Sequence, residues 1–315
     1  AVRMCLVQNT LDPAVRNKNL FVFAGDHGVT AEGVSAFPSE VTGQMVKNFL
    51  AGGAAINVLC RHYGIAMKVV DMGVAADFED HPDLIKKKVA PGTRNLARGA
   101  AMSAVELKTA LENGMAVFLG AHKRAPIDIV GMGEMGIGNT TSAAAIICAI
   151  TGLSPAEATG RGTGVDDAGL KRKVAVIEQA LKLHAPDPEN GFEALQTLGG
   201  FEIAGMTGAI LAAASQKTAV VLDGVISTAA GLAAATICPA IKGFLIAGHR
   251  SVEPAQKAAL AAMGLEPLMD FGMRLGEGTG AALAINIVEA ACKIMTRMAS
   301  FEGAGVSTAS GAVKI

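Results

Sequence analysis

The sequence predicts an α/β protein with a doubly wound, mostly parallel Rossmann-like sheet and a small helical lobe from its termini. Two observations carry that expectation. Short β-rich runs recur, and most are continuously apolar rather than alternating, as in strands buried on both faces of a sheet. Helical patterns separate most of these runs, and repeated strand-then-helix units place helices over both faces.

Taken in order, the chain opens as if in mid-helix, and a preceding segment is expected to be missing. The first strand is expected in LFVFAGDHG (20–28), followed by a helical pattern over 39–63. AMKVVDMG (66–73) reads as the second strand, 103–113 as helix and MAVFLG (115–120) as the third strand. IDIVGMGEMG (127–136) is the fourth strand, with helices over 140–150, 168–183 and 202–216. TAVVLDG (218–224) and GFLIAGH (243–249) complete the strands, each followed by a helix, over 226–237 and 253–263. HAPDPENG (184–191) is the most loop-like stretch. Strands stop near residue 265, and the remainder reads as helix, mainly 279–300. The expected organisation is therefore an α/β domain over 15–265, with 1–14 and 266–315 as the helical lobe.

Length and composition bound the function. At 315 residues the chain can bury a full core. Its formal net charge of −1 gives no electrostatic case for nucleic acid or an anionic membrane. The longest uncharged runs, 135–156 and 224–241, are rich in Gly, Ala, Ser and Thr, and read as buried helices rather than membrane spans. Cys5, Cys60, Cys148, Cys238 and Cys292 are odd in number, far apart and never in a CxxC pair. That argues against a disulfide framework or zinc site, and for a reducing cytoplasm.

The candidate chemistry lies at strand ends, where open α/β sheets bind ligands. Asp26, Asp71, Glu134 and Asp223 follow strands there, and Glu277 stands between glycines in RLGEGTGAALA (274–284). Any one of them reads as a helix cap; as a set they suit a cationic ligand or transition state. Three glycine-rich segments suit an anion: GMGEMGIGNTTSAAAI (131–146), GRGTGVDDAGLKRK (160–173) with Lys173, and GEGTGAALA (276–284). None is a Walker A loop or a dinucleotide fingerprint. The six histidines show no metal-ligand spacing, so no metal or cofactor is expected. His27 reads as structural, and as the histidine placed at a strand end.

Six stretches then carry a resemblance: 25–46 (GDHGVTAEGVSAFPSEVTGQMV), 131–145, 160–173, 199–209 (GGFEIAGMTGA), 221–227 (VLDGVIS) and 274–284. In this order they resemble the nicotinate-nucleotide:dimethylbenzimidazole phosphoribosyltransferase family, which makes the lower-ligand nucleotide of cobamides. The family's leading helix and "PPGSLG"-like segment are absent from the sequence.

The resemblance implies transfer of phosphoribose from nicotinate mononucleotide to an aromatic base, with inversion at C1′. It implies Glu277 as general base, with flanking Gly276 and Gly278 allowing close approach, and Glu134 as a second active-site carboxylate. It implies a ribose and phosphate site from Gly136, Ile137, Gly138, Asn139, Thr140, Gly162, Thr163 and Lys173, with Glu202 and Asp223 lining the cleft. Phe37, Met45, Met135 and Leu275 match the base pocket, and all are apolar. The acceptor stays open between a benzimidazole and a phenol, which would give an O-glycoside. The resemblance further implies a dimer, of identical chains or with a paralogous subunit. Two other readings compete. A nucleotide-dependent dehydrogenase needs a glycine fingerprint that FAGDHGVTAEG lacks; a non-catalytic subunit would have been free to lose Glu277.

Overall fold

The computed structural model describes residues 1–162 and 164–307. Its strands are β1 (Lys18–Gly25), β2 (Ala66–Gly73), β3 (Leu84–Lys86), β4 (Ile129–Met135), β5 (Ala219–Leu222) and β6 (Leu245–Ala247). They form one sheet in the order β3-β2-β1-β4-β5-β6, and every pairing is parallel. The winding reverses between β1 and β4, which places the ligand crevice beyond the carboxyl ends of those two strands.

The helices are α1 (Val2–Gln8), α2 (Glu40–Leu50), α3 (Ala55–Tyr63), α4 (Ala104–Arg124), α5 (Asn139–Thr151), α6 (Pro155–Ala158), α7 (Asp167–His184), α8 (Gly191–Leu198), α9 (Phe201–Ser215), α10 (Val225–Ile237), α11 (Ala255–Met263) and α12 (Thr279–Arg297). Alternate residues of β1 divide them. Phe21 and Phe23 enter the core shared with α4, α5, α9 and α10. Leu20 and Val22 enter the opposite core, with Met4 and Val7 of α1, Val46 and Phe49 of α2, Ile56 and Cys60 of α3, and Ile285 and Val288 of α12. Side chains of a strand point to opposite faces in turn, so burial of both faces leaves few polar positions, mostly at strand ends, and explains the long apolar runs.

Three expectations needed correction. MAVFLG is not a strand: it lies inside the 21-residue α4, which starts where Ser103 accepts the Glu106 N–H. Gly114, between the expected helix and the expected strand, is a contact point within α4. A Cβ there would lie 1.9 Å from the carbonyl oxygen of Gly205, so α4 and α9 touch through their glycines. The third strand is the three-residue edge Leu84–Lys86, too short to leave a pattern. The pattern over 39–63 is two helices, parted at Gly52 and Gly53, and the end of HAPDPENG caps α8 through Asn190. The two uncharged runs hold α5 and α10, of 13 residues each. Helix α12 is long and apolar enough to cross a membrane, but its buried side packs on β4, β5 and α3.

Candidate active site

Glu134 is the last-but-one residue of β4, beside the switch point, and is 8% exposed. Its Oε2 accepts a hydrogen bond from the Asn139 side chain, from the first turn of α5. Its Oε1 faces Gly276, where a Cβ would lie only 2.5 Å away. Burial pushes the Glu134 carboxyl up to about 8; the Asn139 hydrogen bond opposes this, while the charges of Asp223, Glu202 and Glu277 add to it. At neutral pH Glu134 is therefore a neutral acid that can donate a hydrogen bond.

Glu277 lies on the other side of this contact. Its φ is 63°, between Gly276 at 75° and Gly278 at 92°, so three consecutive residues are left-handed. For a non-glycine residue that conformation costs about 1–2 kcal/mol and needs support from its surroundings. The loop is closed by Thr279, whose N–H and hydroxyl both donate to the Gly276 carbonyl. The Glu277 carbonyl rests on Gly133, where a Cβ would lie 2.4 Å away. Glu277 Oε2 is buried with no hydrogen-bond partner. Burial raises its pKa, the Ile56 N–H at the start of α3 opposes this, and the Asp223 charge adds to it.

A second cluster forms the candidate anion site. Lys173 of α7 is 1% exposed, and its Nζ donates to Thr140 Oγ1 of α5 at 2.9 Å. Gly162 packs against both groups. Burial lowers the Lys173 pKa, against the charge of Glu253. The Gly162 N–H donates to Glu253 Oε1 at 2.9 Å, so a carboxylate already sits on this loop. Gly136, Ile137 and Gly138 make the turn into α5, held where the Ile137 N–H donates to Thr42 Oγ1 of α2 at 3.1 Å. Thr163, expected in this site, lies outside the described residues.

The remaining acids divide by what they touch. Glu202, at the start of α9, is fully buried and pairs with His27 Nε2 at 2.6 Å. Asp223 Oδ2 accepts the Gly278 N–H and Oδ1 the Ala281 N–H, so it caps α12. Asp26 Oδ2 accepts the Ala75 N–H, and its Oδ1 has no partner. Asp71 folds onto the Gly73 and Val74 N–H groups and does not join the others. Five acids in one crevice thus become a set centred on Glu134, on which the charges of Asp223, Glu202 and Glu277 act.

Met45 and Met135 are half-buried against the β1–α12 core. Phe37 and Leu275 stand exposed, at 53% and 56%. Sequence reasoning missed Thr42, Glu253 and His249. Thr42, in the first turn of α2, carried no pattern of its own. His249 lies two residues beyond β6, so His27 is not the one histidine at a strand end. Among the described residues no group of acids, histidines and cysteines could hold a metal ion.

A buried ammonium beside a glycine loop, next to a ring of carboxylates, suits a phosphorylated ligand with a cationic centre. Residues 1–306 match a family model described as a phosphoribosyltransferase. The nicotinate-nucleotide–dimethylbenzimidazole phosphoribosyltransferase of Roseiflexus sp. (strain RS-1) is 52% identical over 307 residues, which cover 98% of this chain and 87% of that protein. That of Geobacter metallireducens is 51% identical over 306 residues, covering 97% and 86%. The crystal structure of CobT from Thermus thermophilus is similar at a TM-score of 0.93 and 43% identity, over 98% of this chain and 92% of that one.

Proposed function

The chain belongs to the nicotinate-nucleotide:dimethylbenzimidazole phosphoribosyltransferase family, and on that premise we propose that it transfers 5-phosphoribose from nicotinate mononucleotide to a benzimidazole. The product is an α-riboside 5′-phosphate, released with nicotinate, and it serves cobamide synthesis. The observation that carries the residue assignment is the buried, unpartnered Oε2 of Glu277 beside Glu134.

Lys173, Thr140, Gly162 and the 136–140 turn hold the 5′-phosphate and ribose. The pyridinium nitrogen leaves C1′ with the bonding electron pair as neutral-ring nicotinate, so no acid is needed for departure. Positive charge grows at C1′, and ionised carboxylates nearby stabilise it. The unprotonated ring nitrogen of the acceptor attacks from the opposite face, and Glu277, as general base, takes the proton from the other ring nitrogen. Partial burial raises the Glu277 pKa and improves it as a base. Glu134, held neutral, donates a hydrogen bond to the bound sugar. Phe37, Met45, Met135 and Leu275 receive the flat base. Exposed Phe37 and Leu275, together with Phe271, support a homodimer whose second subunit closes the base site. Five free cysteines support a reducing, cytoplasmic setting.

The test is incubation with nicotinate mononucleotide and 5,6-dimethylbenzimidazole, adenine, phenol or p-cresol, with Glu277→Gln alongside. Nicotinate release and riboside formation are followed by chromatography and mass detection. The expected result is fastest turnover of the benzimidazole and little by the variant. Faster turnover of a phenol would reassign the acceptor, and no nicotinate release with any acceptor would overturn the reading. Sedimentation separates a homodimer from a chain that needs a different subunit.

A further inference from the structure

We propose that Asp223 and His249 are positioning residues for Glu277: they clamp the first turn of α12 and so fix the backbone from which the Glu277 carboxylate projects. The inference rests on the reading of Glu277 as general base.

Asp223 follows β5 directly, and its own N–H donates to Ser227 Oγ at 2.8 Å, which ties it to the start of α10. Its carboxylate reaches across to α12, where Oδ2 accepts the Gly278 N–H at 3.1 Å and Oδ1 the Ala281 N–H at 3.0 Å. A carboxylate at this end of a helix also meets the positive end of its dipole. Both oxygens are engaged with backbone, so Asp223 is built to hold a helix rather than to contact a ligand. Gly278 adjoins Glu277 and is itself left-handed, at φ 92°. The clamp therefore acts one residue from the strained position.

His249 backs the clamp. Its Nε2 lies 3.6 Å from Asp223 Oδ1, and both side chains are almost fully buried. Its Nδ1 lies 3.1 Å from the Arg250 carbonyl, which only accepts, so Nδ1 must carry a proton. A neutral ring would then turn a lone pair from Nε2 toward the Asp223 carboxylate. The imidazolium avoids this, and it sets a positive charge beside the Asp223 carboxylate. The ring also packs on α12, because a Cβ at Gly280 would lie 2.0 Å from His249 Cδ2. Gln256 locks the base of the arrangement, with Nε2 within 3.1–3.3 Å of the Asp223 carbonyl, the His249 carbonyl and Thr228 Oγ1.

The charged and titratable groups that act on Glu277 are Asp223 from the end of β5 and Glu134 from β4, with the Ile56 N–H from α3. On His249 they are Asp223 and Asp270. Removing the Asp223 charge therefore lowers the Glu277 pKa and loosens its backbone together.

The experiment is steady-state kinetics on full-length Asp223→Asn, His249→Gln, Glu277→Gln and the Asp223→Asn/Glu277→Gln double variant, with nicotinate mononucleotide and 5,6-dimethylbenzimidazole. The expected result is a fall in kcat of about tenfold or more for Asp223→Asn, several-fold for His249→Gln, and KM for the nucleotide within about twofold of wild type. The acid limb of kcat should move to lower pH in Asp223→Asn. In the Glu277→Gln background Asp223→Asn should cost almost nothing further, because a residue acting through Glu277 loses its effect when that base is absent. A raised KM at unchanged kcat would overturn the proposal, and so would losses that multiply fully in the double variant. If Asp223→Asn fails to fold, His249→Gln and its double variant with Glu277→Gln decide by the same criteria. Failure of the functional reading looks different: wild type itself would make no product.

Discussion

His27 Nε2 lies 2.6 Å from Glu202 Oε1, and neither side chain is exposed to solvent. Burial opposes the charged ring, but the charge and hydrogen bond of Glu202, with the charge of Asp26, outweigh it and raise the His27 pKa. The pair links the end of β1 to the start of α9 directly below the candidate site. His27→Leu leaves a buried carboxylate without its partner and should destabilise the fold by about 3–5 kcal/mol in urea unfolding. Because the folded pKa is raised, this contribution is present in full below the ordinary value near 6.5. It is lost as pH rises through the folded pKa. The gap between wild type and variant should therefore narrow from pH 6 to pH 9; a gap that widens would show that the neutral ring makes the contact.

Glu134 gives the same sign through a carboxyl group. Its pKa of about 8 in the folded protein, raised mainly by burial, lies well above the usual value of 4.5. The folded state holds this proton between those two values while the unfolded chain releases it, so wild-type stability falls as pH rises through that window. Each unit of difference is worth ~1.4 kcal/mol, so the total is a few kcal/mol. Glu134→Gln keeps an acceptor for Asn139 and cannot ionise. Its melting temperature should match wild type near pH 5 and exceed it clearly at pH 9, read by calorimetry. Equal pH dependence in both proteins would mean that Glu134 is ionised in the fold.

Much of this was legible in the sequence. Strands buried on both faces announce themselves as unbroken apolar runs, and β1, β2, β4, β5 and β6 were all placed by that signal. Periodicity did not resolve α4, because MAVFLG is apolar all round where it lies against α9. The helical pattern was expected to stop at 113, yet Gly114 is the surface on which a second helix lies. The glycine-flanked Glu277 and Lys173 on its helix were visible as patterns. The pairing of Asp223 with the α12 N–H groups was not, since it joins positions 55 and 58 residues apart through a sheet crossing. Nor does sequence tell a carboxylate that faces a ligand from one such as Asp71, which folds back on its own turn.

The Gly114 contact can be tested alone. Gly114→Ala places a methyl group against the Gly205 carbonyl at the closest approach of α4 and α9. Helix propensity would favour Ala by about 1 kcal/mol. Overpacking, at about 3 kcal/mol or more for so close a backbone contact, should win and leave a net loss of about 2 kcal/mol. Chemical denaturation checks the sign, and a stabilised variant would show that the two helices can move apart freely.

Lys173 offers the sharpest test of the anion site. Its ammonium has three donors, lies in a nearly water-free position, and has Thr140 Oγ1 at 2.9 Å as its hydrogen-bond acceptor. Burial lowers its pKa, and the Glu253 charge recovers part of that loss. A phosphate would satisfy the remaining donors, and charge-assisted hydrogen bonds of this kind are worth about 1.5–3 kcal/mol each. Lys173→Met keeps the length and apolar stem of the side chain but removes the charge. It should raise KM for nicotinate mononucleotide by about ten- to a hundredfold, since each 1.4 kcal/mol is roughly tenfold. Its effect on unliganded stability should be small or favourable, because the buried charge is costly when no anion is bound. Inorganic phosphate should raise the wild-type melting temperature by mass action and leave Lys173→Met unmoved. Thr140→Val should lie between the two, because it removes one acceptor and leaves the cation. Equal stabilisation of wild type and Lys173→Met by phosphate would place the anion elsewhere and remove the basis for assigning this loop to the 5′-phosphate.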